Sequence, residues 1–258
     1  MLWARTLTVA ALVALPLLAA GFGLRLGLPW RDAWLGALLL GALPLISLAQ
    51  VPLLARLELK PKEIYRSSAL SMAGLSVLAL LASAPDVSRL GLVPLDLAVD
   101  VPRAGALALL VGLLTVLFMP VDRWVGQPAS DLTRLVIPQT TSERFAFVGV
   151  TVVAALGEEI VFRGYLVSML APSFGGVWPA LGISSLAFGL LHAYQGPVGI
   201  VRTALLGALL GAGWLVWGSL WPAIAAHFAL NLFGGLWLGP RLYRETPDPD
   251  QNPDPYQG

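Results

Sequence analysis

Three ionisable side chains, Glu158, Glu159 and Arg163, stand inside an otherwise apolar run from Phe145 to Leu170, in the stretch Gly157-Glu158-Glu159-Ile160-Val161-Phe162-Arg163-Gly164. A carboxylate at hydrocarbon depth is costly unless it is paired or watered, so two adjacent ones beside an arginine point to function. On an α-helix of roughly 100° per residue, Glu159 and Arg163 are neighbours about 40° apart, while Glu158 and Arg163 are about 140° apart. Arg163 is therefore expected to pair with Glu159. Glu158 is left without a local cation in a low-dielectric setting, which raises a carboxyl pKa toward the range useful for proton transfer. Glu158 takes the role of base, with Glu159 and Arg163 in support. The plainer alternative is a buried ion-pair cluster that locks helices together.

The chain has only two histidines, and both fall within or at the edge of apolar runs. His192 follows Phe188 by four residues, where the phenyl ring can pack on the imidazole. Asn231 follows His227 by four, so both polar groups share one helical face. A lone histidine in such a helix is more often an interhelical hydrogen-bonding group. Two of them beside an intramembrane glutamate pair favour a site. The constellation offers one carboxylate without a cation, two imidazoles, one carboxamide and no visibly activated side-chain nucleophile. Water is then the natural nucleophile, deprotonated by Glu158 alone or with His192, while His227 and Asn231 donate to the developing oxyanion. Glu158, His192 and His227 also form the ligand set that a hydrolytic zinc needs. The sequence leaves the cofactor-free and the zinc readings both open. Either way the implied reaction is hydrolysis of a peptide bond within or near the bilayer.

The elements that must position these groups are membrane helices. At 57% hydrophobic and 12% charged, with a mean hydropathy of +0.78, the 258-residue chain is far more apolar than a soluble domain. The expected fold is all-α, a polytopic membrane protein of about eight transmembrane helices. They are expected over Leu7–Leu24, Ala33–Leu54, Ser67–Ala84, Ala104–Met119, Phe145–Leu170, Val177–Tyr194, Gly199–Val216 and Pro222–Leu238. The first run follows Arg5 and reads as a retained helix rather than a signal peptide. With no cysteine, disulfides, thiolate metal sites and a cysteine nucleophile are excluded. A net charge of +1 without a basic patch argues against nucleic acid as a partner.

Residues 1–120 read as an N-terminal group of about four helices, 121–143 as an interfacial connection and 144–240 as the catalytic core. Residues 241–258 read as a disordered tail. In the connection, Gly126, Pro128 and Pro138 interrupt helix, and Trp124, Leu132, Leu135 and Val136 offer apolar contacts. The tail carries Pro247, Pro249, Pro253 and Pro255 and buries almost nothing. Most arginines and lysines outside the spans fall on the side shared by the two termini, which places both termini in the cytoplasm. The expected location is the inner membrane of a bacterium. Simple eight-span threading puts His192 near the cytoplasmic end of its helix and His227 near the opposite end of its own. The connection Trp217–Trp221 is therefore expected to dip into the bilayer, with Pro222 starting the last helix.

The ordered triple Glu158-Glu159-x-x-x-Arg163, Phe188-x-x-x-His192 and His227-x-x-x-Asn231, on successive apolar segments, resembles the CPBP family. These are intramembrane proteases related to the type II CAAX-prenyl endopeptidase, Rce1-like and also called the Abi family. The resemblance covers about residues 144–238. It implies a helical polytopic fold with Glu158, His192, His227 and Asn231 in the catalytic cavity. It also implies that the first glutamate and first histidine activate water, and that the second histidine and asparagine stabilise the oxyanion. The implied partners are membrane lipids and a membrane-associated peptide or protein substrate. Two other function classes use the same polar cavity. A proton- or ion-coupled transporter would use its carboxylates and imidazoles as a relay, and a scaffold or immunity protein would bind a peptide without cutting it.

Overall fold

The computed structural model describes residues 2–54, 60–84, 86–125 and 134–242. Every regular element among them is helical. In chain order these are α1 (Leu2–Leu26), α2 (Trp30–Ala37), α3 (Leu43–Leu54), α4 (Pro61–Ser83), α5 (Leu97–Val125) and α6 (Thr141–Glu158), followed by α7 (Val167–Leu170), α8 (Val177–Leu191), α9 (Gly196–Trp217), α10 (Trp221–Leu232) and α11 (Gly239–Leu242). Three π-helical stretches join neighbours without a break: Leu38–Ala42 between α2 and α3, Glu159–Leu166 between α6 and α7, and Phe233–Leu238 between α10 and α11.

Among the described residues, seven helical stretches are long and apolar enough to cross a membrane: Thr6–Leu26, Trp30–Val51, Pro61–Ser83, Leu97–Val125, Thr141–Leu170, Ala193–Trp217 and Trp221–Arg241. The protein is an all-α polytopic membrane protein. The eighth expected span, Val177–Tyr194, is shorter than predicted. Helix α8 has 15 residues, about 22 Å at 1.5 Å per residue, less than the roughly 30 Å of a hydrocarbon core. His192 closes it with φ −96° and ψ 22°, outside helical geometry, and a 3-10 turn over Ala193–Gln195 follows.

Local signals set the other ends. Thr140 caps α6 through a reciprocal box with Glu143: the Glu143 N–H donates to Thr140 Oγ1 at 3.2 Å, and the Thr140 N–H donates to Glu143 Oε2 at 3.0 Å. Prolines stand in the first turns of α4, α9 and α10, where a missing N–H costs nothing; α10 begins at Trp221, one residue before the expected Pro222. Gly218 ends α9 at φ 70°, a left-handed conformation that suits glycine.

Helix α5 runs further than the span expected over Ala104–Met119. It takes in Pro102 and Pro120 and continues to Val125, so the first five residues of the expected connection are helical. Its last turn is tied to α9 by an ion pair, Arg202 to Asp122 at 2.8 Å, which the apolar pattern does not reveal. Gly126, Pro128 and Leu132 lie outside the described residues, as does the tail from residue 243 onward. Arg241 and Leu242, expected in that tail, belong to α11.

The core sits where α8, α9 and the Glu159–Leu166 stretch meet, around Phe162, Leu166, Leu170, Phe188 and Leu210. Helix α9 packs chiefly on α8 and α5, and α10 on α5 and α6. Large apolar side chains such as Leu17, Leu109 and Leu117 point outward, as a lipid-facing surface requires. The connection between α9 and α10 is buried in protein. Ser219 and Leu220 are inaccessible, the Leu220 N–H donates to the Gly91 carbonyl at 2.9 Å, and Trp221 Nε1 donates to the Val93 carbonyl at 2.8 Å.

Candidate active site

The glutamate pair spans a change of helix type: Glu158 ends α6 and Glu159 opens the π-helical turn. Glycine on both sides permits close approach. A methyl group on Gly157 would strike the Met72 side chain and Ser76 Oγ, and one on Gly164 would stand 3.0 Å from Leu90. Because π winding brings residues i and i+5 nearly over one another, Glu158 and Arg163 are less separated than an α-helix would make them. Arg163 nevertheless pairs with Glu159, at 3.0 Å between Nη1 and Oε1. The expected partner is found, for a reason beyond spacing: the rest of the guanidinium is held elsewhere. Its Nε donates to the Gly207 carbonyl at 3.3 Å, and its central carbon lies 4.1 Å from the centre of the Phe188 ring.

This pair is fully enclosed, with side chains 0% (Glu159) and 1% (Arg163) exposed. Its terminal nitrogens meet ion-pair distance but not hydrogen-bond geometry, and Glu159 Oε2 has no partner. The row of small residues on α9 makes the room. A Cβ on Gly207 would come within 2.7 Å of Arg163 Nη2, and one on Gly211 within 3.3 Å of Arg163 Cγ. The row thus houses the arginine as well as bringing helices together.

His227, in the second turn of α10, is where the two glutamates converge. Its Nδ1 donates to Glu159 Oε1 at 2.8 Å, and its Nε2 lies 3.6 Å from Glu158 Oε2. Glu158 therefore has a neighbour that helical spacing did not reveal, because it arrives from another helix. The Glu158 side chain retains 16% exposure, unlike that of Glu159. His192 Nδ1 donates to the Phe188 carbonyl at 2.9 Å. A carbonyl can only accept, so Nδ1 carries the proton and Nε2 is left with a free lone pair. Phe188 packs on both imidazoles, with ring centres 4.6 Å from His192 and 6.3 Å, edge on, from His227.

Convergence of the two histidines, unexplained by simple threading, follows from the short α8 and from the buried start of α10. Asn231 lies one turn after His227 on the same helix, partly buried and with no side-chain hydrogen bond among the described residues. The structure thus gathers Glu158, Glu159, Arg163, Phe188, His192 and His227, with Asn231 one turn further along α10. A separate cavity of about 350 Å³ lies along α5, α6 and α10, lined by Leu97, Val101, Val152, Leu156, Ile224 and Phe228 among others and by no member of the cluster.

The type II CAAX prenyl endopeptidase Rce1-like family model matches residues 140–233, from the cap of α6 to the end of α10. This segment is similar to that family. Comparison with the curated proteins and comparison with the solved structures each found no match. All three parts of the ordered motif, with both glutamates and both histidines, lie inside the matched segment.

The zinc reading can be set against the donor arrangement. Both histidines make their hydrogen bonds through Nδ1, to Glu159 and to a backbone carbonyl, which leaves Nε2 as the nitrogen a metal would take. Among the described residues no three His, Asp or Glu side chains are grouped to hold a metal ion. Glu158, His192 and His227 as placed do not fit a three-ligand site.

Two features of the site escaped the sequence. Tyr194 packs on His192, with ring centres 5.9 Å apart, and heads a hydrogen-bond chain through Gln195 to Arg202. The only signal was polar residues following His192 so closely in an apolar region. The N-terminal helices also reach the site's supports. Tyr165 donates to Asp32 at 2.8 Å, and Ser47 donates to the Leu191 carbonyl at 2.9 Å, next to His192.

Proposed function

We propose that this membrane protein is an intramembrane endopeptidase of the Rce1-like type, hydrolysing a peptide bond of a membrane-associated peptide or protein with water activated by Glu158. The observation that carries the reading is the placement of one imidazole between two adjacent glutamates in a largely apolar surround, within the segment that matches the family.

On this reading the residues take distinct roles. Glu158, partly accessible and free of Arg163, takes a proton from water as the water oxygen adds to the scissile carbonyl carbon. His192 Nε2, with its lone pair free, helps to orient that water. The electron pair of the C=O bond moves to oxygen. His227, anchored through Nδ1 by Glu159, presents Nε2 to the same space and, when that nitrogen carries a proton, donates to the oxyanion together with Asn231. Collapse of the tetrahedral intermediate breaks the C–N bond, and Glu158 returns its proton to the leaving amine. Arg163 balances Glu159, so that the anchor of His227 is charge-compensated.

Purified protein in detergent should cleave members of a library of quenched-fluorescent apolar peptides. Glu158→Gln and His192→Ala should each abolish cleavage while leaving thermal unfolding unchanged. Wild-type rates in Glu158→Gln would overturn the assignment. Peptide binding without turnover would identify a scaffold instead.

A further inference from the structure

A directed hydrogen-bond chain ends beside His192. Arg202 binds Asp122 through Nη1 at 2.8 Å and donates from Nη2 to Gln195 Oε1 at 3.1 Å. The Thr203 hydroxyl faces the same Oε1 at 3.4 Å. Since guanidinium nitrogens only donate, the Gln195 carboxamide is fixed with its oxygen toward Arg202 and its nitrogen toward Tyr194. Gln195 Nε2 donates to the Tyr194 oxygen at 3.2 Å. The phenol oxygen is thereby used as an acceptor, and its own proton is left to be donated elsewhere. Donation into that oxygen strengthens the O–H as a donor, because hydrogen bonds in a chain polarise one another. The ring lies tilted beside that of His192, with ring centres 5.9 Å apart and planes at 37°, so the phenol is held next to the imidazole.

We propose that Tyr194 is a further catalytic residue, its hydroxyl donating a hydrogen bond to the oxyanion of the tetrahedral intermediate. This rests on the hydrolytic reading above. The chain Asp122–Arg202–Gln195 holds the donor in place before substrate arrives, the condition under which such a bond favours the transition state. Glu158 and His192 handle the attacking water, and Tyr194 acts on the carbonyl oxygen alongside His227.

The test compares wild type, Tyr194→Phe and Glu158→Gln on the same quenched-fluorescent peptide library in detergent. Phenylalanine keeps the ring on His192 and removes only the hydroxyl. The expected result is a kcat about 10²-fold lower in Tyr194→Phe with KM essentially unchanged. A peptidyl phosphinate built on a cleaved sequence, which carries tetrahedral oxygens, should lose affinity for Tyr194→Phe by a similar factor, whereas the matching uncut peptide should bind as to wild type. Wild-type kcat in Tyr194→Phe, or a change confined to KM, would overturn the Tyr194 assignment while leaving the hydrolase reading intact. A wild-type protein that cuts no peptide would overturn both.

Discussion

His227 Nδ1 lies 2.8 Å from Glu159 Oε1, a contact between residues 68 positions apart that makes one imidazole the meeting point of two helices. Glu159 is also the partner of Arg163, so the ring, the carboxylate and the guanidinium form one buried unit. Glu158 faces the other nitrogen of the same ring and keeps some access to the outside. Neighbours in sequence thus have opposite physical roles, and their substitution should separate activity from stability.

Glu159→Ala would leave the Arg163 guanidinium enclosed without its countercharge. Breaking a buried pair from one side costs about 3–5 kcal/mol, and the variant should show a correspondingly lower unfolding free energy in detergent. Glu158→Gln should change that free energy by less than about 1 kcal/mol. Equal destabilisation by both would contradict the division of roles.

Gly207→Ala places a methyl group 2.7 Å from Arg163 Nη2 and 3.2 Å from Phe188 Cδ1. Overpacking of this kind costs about 1–3 kcal/mol, and displacement of Phe188 should also disturb both histidines. The expected result is a lower unfolding temperature together with reduced turnover. Gly105→Ala, with nothing within 4 Å of the new Cβ, is the matched control and should leave both unchanged.

The Tyr165 to Asp32 hydrogen bond ties the start of α2 to the π-helical turn that carries Arg163. Tyr165→Phe removes one hydroxyl donor and should cost about 1 kcal/mol of stability. The proteolytic rate should stay within a few-fold of wild type. A selective collapse of kcat without loss of stability would mean that the N-terminal helices take part in the chemistry.

Because the donors are not grouped for a metal, peptide hydrolysis should survive exhaustive dialysis against a chelator. Elemental analysis of the active protein should find no stoichiometric zinc. Loss of activity on chelation with recovery on adding zinc would show that Glu158, His192 and His227 rearrange into a ligand set.

In the connection before α5, the Ser88 hydroxyl and the Arg89 guanidinium donate to Asp86 and hold its carboxyl below the usual carboxylate range. A carboxyl lowered on folding contributes stability above its unfolded pKa, near 3.9, and loses it as pH falls through the lower folded value. A carbon-13 titration of Asp86 should therefore show a midpoint below that of the same residue in the unfolded chain. Ser88→Ala should move it back upward.

Hydropathy alone revealed all eight apolar segments, because lipid leaves the backbone few alternatives to helix. It also placed the start of α10 at Pro222, one residue after the observed Trp221. It misjudged the reach of α5, since Pro120 and the charges after it resemble an end until Arg202 is seen to neutralise Asp122. The i,i+4 rule found the Arg163 partner. It did not find Glu158's neighbour, because His227 approaches from α10 and local spacing carries no information about that. The π-helical turn has no mark in the residues Glu159–Leu166, and the orientation of Gln195 depends on contacts made seven residues further on. Asn231, singled out by sequence, stands in place on its helix face without a partner among the described residues.

The arginine laid across Gly207 and Gly211 has a consequence for biogenesis. A segment entering the bilayer alone would show lipid two carboxylates and a guanidinium, with only Glu159 and Arg163 able to neutralise each other. The carbonyl, ring and imidazole that complete their surroundings come from α8, α9 and α10, which leave the ribosome later. Stable insertion of Thr141–Leu170 should therefore await the three helices that follow it. In a chain truncated after Leu170 the four earlier spans should still insert, while the Thr141–Leu170 segment itself should be poorly retained in the membrane.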